Sequence, residues 1–241
     1  MISIVTPTLW KAEELPYIAE QVLKHDKVGE LIIIDNAKDD RPDYGFLSHK
    51  KVKILEQEQN IFVNPAWNLG VKKAKNAKIC LMSDDIVFDT DVFDLVHDQI
   101  TEKNGVIGPL QNSIKTFYVK SPLMELNPIK DVDNLWEGFG TLMFFHKKNY
   151  LPIPEELKIY WGDTWIWDYN AIQCRQNYAL NKFCLYTKMR TSSGLFKETT
   201  DEEEKKYLSL FNEMYQNNFK SGNCLSNIIA QKVYDLIKEY E

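Results

Sequence analysis

No stretch of this chain is long and apolar enough to cross a membrane; the longest uninterrupted aliphatic runs are short, as in Leu31-Ile32-Ile33-Ile34. The opening MISIVTPTLW lacks the basic region and the apolar run of a secretory leader. Basic charge is not in excess: 29 Lys and Arg stand against 35 Asp and Glu, for a formal net charge of −6. A phosphate backbone demands clustered cations, so nucleic-acid binding through a globally basic surface is excluded. No two of the four cysteines (Cys80, Cys174, Cys184, Cys224) stand at CxxC spacing, which removes the signal for a zinc site. They read as buried free thiols of a reducing compartment, and a soluble, cytoplasmic protein is expected. No GxxxxGK[ST] motif occurs, and no GxGxxG follows the first apolar run. A P-loop nucleotidase and a Rossmann dinucleotide site are thereby excluded. Internal repeats and Gly/Ser/Pro linkers are also missing.

What is present suits one domain, or one domain with an appendage: 241 residues, 44% hydrophobic and 12% aromatic. A chain this size buries roughly 70–75% of its unfolded surface and needs no staple to hold a core. The first hundred residues alternate between two periods. Ile2–Val5 and Ile79–Met82 are short apolar runs expected as strands, Leu31–Ile34 is a continuous branched run as expected of a strand buried on both faces, and Val52–Leu55 is a further strand candidate. Between them, Glu13–His25 carries Leu15, Ile18 and Val22 at helical spacing, and Asn64-Pro65 reads as the N-cap and first position of a helix to about Lys75. Alternation of this kind predicts an α/β fold with a mainly parallel sheet and right-handed crossovers.

The second half is less regular. Val106–Gly108, Leu142–Phe145 and Phe183–Tyr186 are strand candidates, broken up by five prolines. Thr200-Asp201-Glu202-Glu203 fits a capping box, and the acidic run there reads as a solvated helix start. Apolar stripes on two final helices predict packing on the domain, with pairing to a second copy as the alternative.

In an open parallel sheet, ligands bind beyond the carboxyl ends of the strands. Three ends here carry polar groups: Thr6-Pro7-Thr8, Asp35-Asn36 and Ser83-Asp84-Asp85. Adjacent carboxylates at a strand end raise one another's pKa or demand a cation. A hard divalent ion, Mg²⁺ or Mn²⁺, with a diphosphate ligand would supply that compensation. The simpler reading of Asp84-Asp85 is a turn cap. A receiver-domain phospho-acceptor pocket would belong to a chain about half this length.

These segments carry a resemblance. Ile2-Ser3-Ile4-Val5-Thr6-Pro7-Thr8 and Leu31-Ile32-Ile33-Ile34-Asp35-Asn36 resemble the opening of a GT-A fold glycosyltransferase of the family 2 type. Asn60-Ile61-Phe62-Val63-Asn64-Pro65-Ala66-Trp67-Asn68-Leu69-Gly70 is similar to that family's Asn-x-Gly-x-x-x-Ala-x-Asn-x-Gly pattern, with Phe62 in place of the first Gly. Ile79–Asp85 resembles the strand leading into the Asp-x-Asp-type metal motif, with Ser83 in place of its first Asp. Gly138–Phe145 resembles the acceptor-side strand. Trp161-Gly162-Asp163-Thr164 resembles the acidic motif that houses the base, with Thr164 replacing one acid. The likeness covers about residues 1–195, a nucleotide-sugar-binding half over 1–100 and an acceptor half over 101–195; residues 196–241 read as a helical extension packed on the same domain.

The resemblance implies an inverting, metal-assisted sugar transfer from a nucleotide-diphospho-sugar to a hydroxyl on a glycan, protein, lipid head group or modified DNA. Asp163 is the expected base and Asp168 the reserve. Thr6, Pro7, Thr8, Asp35, Asn36, Asn60, Asn68, Ser83, Asp84 and Arg190 are expected on the donor, and Asp85 on Mn²⁺ or Mg²⁺ as the single protein ligand. Trp136, Gly140 and Trp161 are expected on the acceptor side, with indole faces suited to sugar rings and core packing as their simpler use. Glu137 reads as solvated surface, and Lys188 or Arg190 could reach the diphosphate from a loop hinged at Ser192-Ser193-Gly194. Two alternatives compete. A sugar-nucleotide pyrophosphorylase would carry a Gly-rich, Arg-containing loop where Thr6–Trp10 stands; a non-catalytic nucleotide or sugar binder would keep the fold without transfer. The acidity itself is local. Residues 79–102 hold seven acids and no Lys or Arg, beginning at the proposed metal motif.

Overall fold

A computed structural model describes residues 1–110, 113–115, 117–121, 123–129, 139–188, 197–218 and 235. Its strands are β1 (Ile2–Thr8), β2 (Val28–Asp35), β3 (Val52–Glu56), β4 (Lys78–Met82), β5 (Ile86–Phe88), β6 (Asn104–Pro109), β7 (Ile114–Lys115), β8 (Glu125–Pro128), β9 (Leu142–His146), β10 (Gln176–Asn181) and β11 (Leu185–Thr187). Its helices are α1 (Leu15–Lys24), α2 (Val63–Lys73), α3 (Val92–His97), α4 (Gly162–Ile172) and α5 (Lys197–Asn218).

Among the described residues, eight strands form one sheet in the order β3-β2-β1-β4-β9-β6-β10-β8. β1 lies between β2 and β4 and is parallel to both. Two strands run against the rest of the sheet: β9 is antiparallel to β4 and to β6, and the edge strand β8 is antiparallel to β10. A second, three-stranded sheet has the order β5-β11-β7.

Side chains alternate across the main sheet as a period of two requires. Val5, Ile32, Ile34, Leu81, Met143 and Phe145 face a core shared with α2, α4 and α5. Ile4, Leu31, Ile33, Cys80, Met82 and Phe144 face the other core, filled by α1 and α3. Both faces of β1, β2 and β4 are therefore covered, which is why their sequences are continuous apolar runs. β1 extends past Val5 to Thr8 on β2 alone; pairing with β4 stops at Val5 and Leu81. Pro7, which has no N–H to donate, falls in that stretch paired on one side.

Three sequence expectations change here. α2 begins at Val63, with Phe62 as its N-cap at φ 66°, so Asn64 lies inside the helix. The Asn60 side chain accepts the Phe62 N–H at 2.8 Å, and Pro65 falls in the first turn, where an N–H is not needed. α5 begins at Lys197, so Thr200 is not its cap, and Glu203 of the acidic run is buried. Cys174, at φ 61° in the turn after α4, is disulfide-bonded, whereas Cys80 and Cys184 are free thiols. α4 carried no readable stripe because it is buried on nearly all sides, through Trp165, Ile166, Trp167, Ala171 and Ile172. The last expected helix lies outside the described residues. No described helix is long and apolar enough to cross a membrane.

Candidate active site

The carboxyl ends of β1, β2 and β4 open onto a cavity of about 300 Å³. Pro7 and Thr8 line it from β1, Asn36 from the end of β2, and Ser83, Asp84 and Asp85 from the end of β4. Adjacent parallel strands deliver these groups side by side. The Thr8 hydroxyl donates to Asp84 Oδ2 at 2.7 Å and accepts the Trp10 N–H at 2.8 Å. Burial pushes the Asp84 carboxyl up to about 6; the Thr8 hydrogen bond opposes this and the charge on Asp85 adds to it. The Thr187 hydroxyl, at the end of β11, donates to Asp85 Oδ2 at 3.2 Å. Two adjacent carboxylates beside hydroxyl oxygens form a hard donor set that fits Mg²⁺ or Mn²⁺, and a cation would relieve the charge that Asp84 resists. A separate group of His25, Asp26 and Asp94, with imidazole-to-carboxylate contacts of 3.5 and 3.6 Å, is not on this cavity.

Other expected donor residues are placed differently. Asp35 is fully buried: its carboxylate accepts from Trp10 Nε1 at 2.7 Å, the Ala37 N–H at 3.1 Å and Arg41 at 3.2 Å. Its oxygens are used by its own chain, and it supports the strand end while Asn36 faces the cavity. Thr6 is buried within β1 and does not line the cavity. Asn60 does line it. Asn68 does not: its amide donates to the Ile153 carbonyl at 2.8 Å and accepts from Tyr150 Oη at 2.6 Å and the Ile153 N–H at 2.9 Å. That residue ties α2 to the segment after β9. Lys188 is held by Glu13 at 2.6 Å and Glu14 at 3.0 Å. Arg190, Trp136, Glu137 and the Ser192–Gly194 hinge lie outside the described residues.

The remaining wall comes from distant segments. Thr141, Ile159 and Tyr160 line the cavity, and Thr141 is tied to the end of β4 by the Ser83 N–H donating to its carbonyl at 2.9 Å. Asp163 lies in the first turn of α4, against Gly140; neither residue lines the cavity itself. A Cβ on Gly140 would stand 2.8 Å from Asp163 Oδ2, so a side chain here would displace the carboxylate from its present place. Burial raises the Asp163 pKa, while backbone N–H groups of Thr164, Asp163 and Gly140 hold it down.

Asp168, the reserve base, is buried in the core and does not line the cavity. It accepts a short hydrogen bond from the Tyr207 hydroxyl. Burial pushes its carboxyl up to about 7; Tyr207 opposes that and Asp163 adds to it. Trp161 is the N-cap of α4 at φ 63° and stacks on Tyr207, ring centroids 4.9 Å apart. The neighbouring Tyr160, not Trp161, faces the cavity. Sequence reasoning missed Trp67, Tyr160 and Thr187. Tyr160 adjoins the Trp-Gly-Asp segment and Thr187 ends an apolar run, so both carried a positional signal.

The model of the family described as glycosyl transferase family 2 matches residues 3–174. This chain belongs to glycosyl transferase family 2. It is 26% identical over 119 residues to glycosyltransferase GlyG of Streptococcus pneumoniae serotype 4, covering 46% of this chain and 40% of that protein. The chain thus spans about two-fifths of the length of the curated relative it matches. The crystal structure of S. aureus TarS 1-349 superposes with a TM-score of 0.62 at 14% identity, over 95% of this chain and 69% of that one. The same TarS fragment in complex with UDP gives 0.56 at 14% identity, over 77% of this chain and 60% of that one. The fold of this family 2 member is accordingly GT-A, as in TarS.

Proposed function

We propose that this chain transfers a sugar, with inversion, from a uridine-diphospho-sugar to an acceptor hydroxyl, with Asp163 as general base and a divalent ion held at Asp85. The observation that carries the reading is a cavity at the strand ends lined by two adjacent carboxylates, with a third carboxylate packed behind its wall. Asp84 and Asp85 line it from the end of β4; Asp163 of α4 is not a lining residue but packs against Gly140, the chain neighbour of the lining residue Thr141. UDP is the nucleotide present in the TarS complex, a neighbour in fold, and is the first probe to use here.

Pro7, Thr8, Asn36 and Asn60 would hold the nucleotide, and Asp84 its ribose. The bound ion would neutralise the diphosphate and stabilise it as a leaving group. Asp163 takes the proton of the attacking hydroxyl; its raised proton affinity strengthens it as a base near neutral pH. Phe62, Trp67 and Ile159 give the cavity an apolar wall that limits access of water to the donor.

The test is UDP release from UDP-sugars with Mn²⁺, with and without candidate acceptors. Asp163→Asn should lower turnover by about 10³-fold or more while UDP still raises the melting temperature. Full turnover in that variant would remove Asp163 from the mechanism. A wild-type chain that binds UDP and never releases it from any UDP-sugar would be a binder and not a transferase.

A further inference from the structure

The family model ends at residue 174, and α5 lies beyond it. Two buried residues of α5 nevertheless reach the turn that carries the proposed base. Glu203 is 3% exposed, and its carboxylate collects consecutive backbone N–H groups: Lys158 at 3.0 Å, Ile159 at 3.1 and 3.3 Å, and Tyr160 at 2.7 Å. One helical turn on, Tyr207 is fully buried; its ring stacks on Trp161 and its hydroxyl donates to Asp168.

The segment between these anchors is 158–163. Ile159 and Tyr160 line the cavity, Trp161 adopts the left-handed backbone unusual for a bulky residue, and Asp163 follows two positions later. A left-handed non-glycine residue persists only where its surroundings over-determine it. The carboxylate on one side and the aromatic stack on the other provide that determination. Both come from a helix outside the matched family region.

We infer that Glu203 and Tyr207 are positioning residues: α5 clamps the 158–163 turn and thereby aims Asp163 and the Tyr160 wall at the reacting sugar. The inference rests on the transferase reading above. Neither residue lines the cavity or touches the groups proposed for the nucleotide. Their loss should separate turnover from nucleotide affinity, because a small misplacement of a base lowers rate without weakening remote binding.

The full chain is assayed for UDP release from UDP-glucose and UDP-N-acetylglucosamine, with water as acceptor, at saturating donor and Mn²⁺. UDP affinity is measured separately. Glu203→Gln puts an amide donor against N–H groups; Tyr207→Phe keeps the stack and removes the hydroxyl. Turnover is expected to fall about 10-fold or more in Glu203→Gln and about 3-fold or more in Tyr207→Phe, with the Kd for UDP within about 2-fold of wild type. Wild-type turnover in Glu203→Gln, or a parallel loss of UDP affinity, overturns the positioning role. Should Glu203→Gln not fold, Tyr207→Phe decides, and unchanged turnover there overturns it. A wild-type chain that binds UDP but releases none fails at the transferase reading, and the positioning role falls with it. That failure is visible before any variant is made, so the two are distinct.

Discussion

The two walls of the cavity are built on different principles. The wall beneath Asp84 and Asp85 is a row of parallel strand ends, each delivering its side chain a few residues from the strand that holds it. The wall beside Asp163 has no such frame. It is formed by Thr141, Ile159 and Tyr160, held from behind by buried polar clamps: Asn64 donating to the carbonyls of Leu157 and Tyr160 at 3.2 and 2.9 Å, and Glu203 of α5 collecting N–H groups. A strand-end site inherits its geometry from a hydrogen-bonded ladder. A clamped site depends on a few buried polar groups, each costly to leave unpaired.

The sharpest break between the walls should be Asp85→Asn. It removes one charge from the strand-end wall without touching the ladder, so turnover should fall about 10²–10³-fold with little change in melting temperature. Loss of the folded state in place of turnover would mean that the strand-end wall is not self-supporting. Next come two glycines. A Cβ on Gly70 would lie 2.1 Å from Val5 Cγ1, and one on Gly162 would lie 2.0 Å from Asn64 Oδ1. Each Gly→Ala change should destabilise by about 1–3 kcal/mol in denaturant unfolding. Only Gly162→Ala should also slow turnover of the folded protein, since Asn64 holds the Tyr160 carbonyl. Equal turnover in the two variants would erase the distinction between a packed frame and a clamped wall.

A contrast read in stability alone concerns Asp168. Its folded pKa of about 7 lies above that of an exposed carboxyl, so the native state holds the proton more tightly than the unfolded chain. The stabilisation is complete below the ordinary carboxylate pKa and is lost as pH rises through about 7. Asp168→Asn has nothing to titrate there. Its stability relative to wild type should therefore improve from pH 4 to pH 8, by up to about 4 kcal/mol. A pH-independent difference would show that Asp168 is ionised throughout and that the Tyr207 clamp binds a carboxylate.

Legibility in the sequence followed the same division. β1, β2 and β4 were readable as apolar runs because a parallel strand covered on both faces has little choice of residue; the edge strand β3, half-buried and interrupted by Lys53, carried a weaker signal. Ser83, Asp84 and Asp85 were readable as a site because they follow such a run. Asp35 and Asn68 matched family positions, yet their side chains are occupied by Trp10, Arg41, Tyr150 and Ile153. Which atoms of a polar side chain remain free depends on partners far along the chain, and a motif does not record them. α4 was unreadable for another reason: a helix enclosed on all sides has no polar face to set its period.

By itself, then, the sequence determined the alternating strands and helices, the polar strand ends and the likeness to family 2, because each depends on local patterning and short-range spacing. Only the tertiary structure decided that Asn36 and not Asp35 faces the cavity, that Tyr160 and not Trp161 forms its wall, and that Asp168 is enclosed with Tyr207. It also joined the acidic start of α5 to the turn before Asp163. Those outcomes turn on desolvation and on hydrogen bonds between residues some 40 or more positions apart, which exist only once the chain has closed around them.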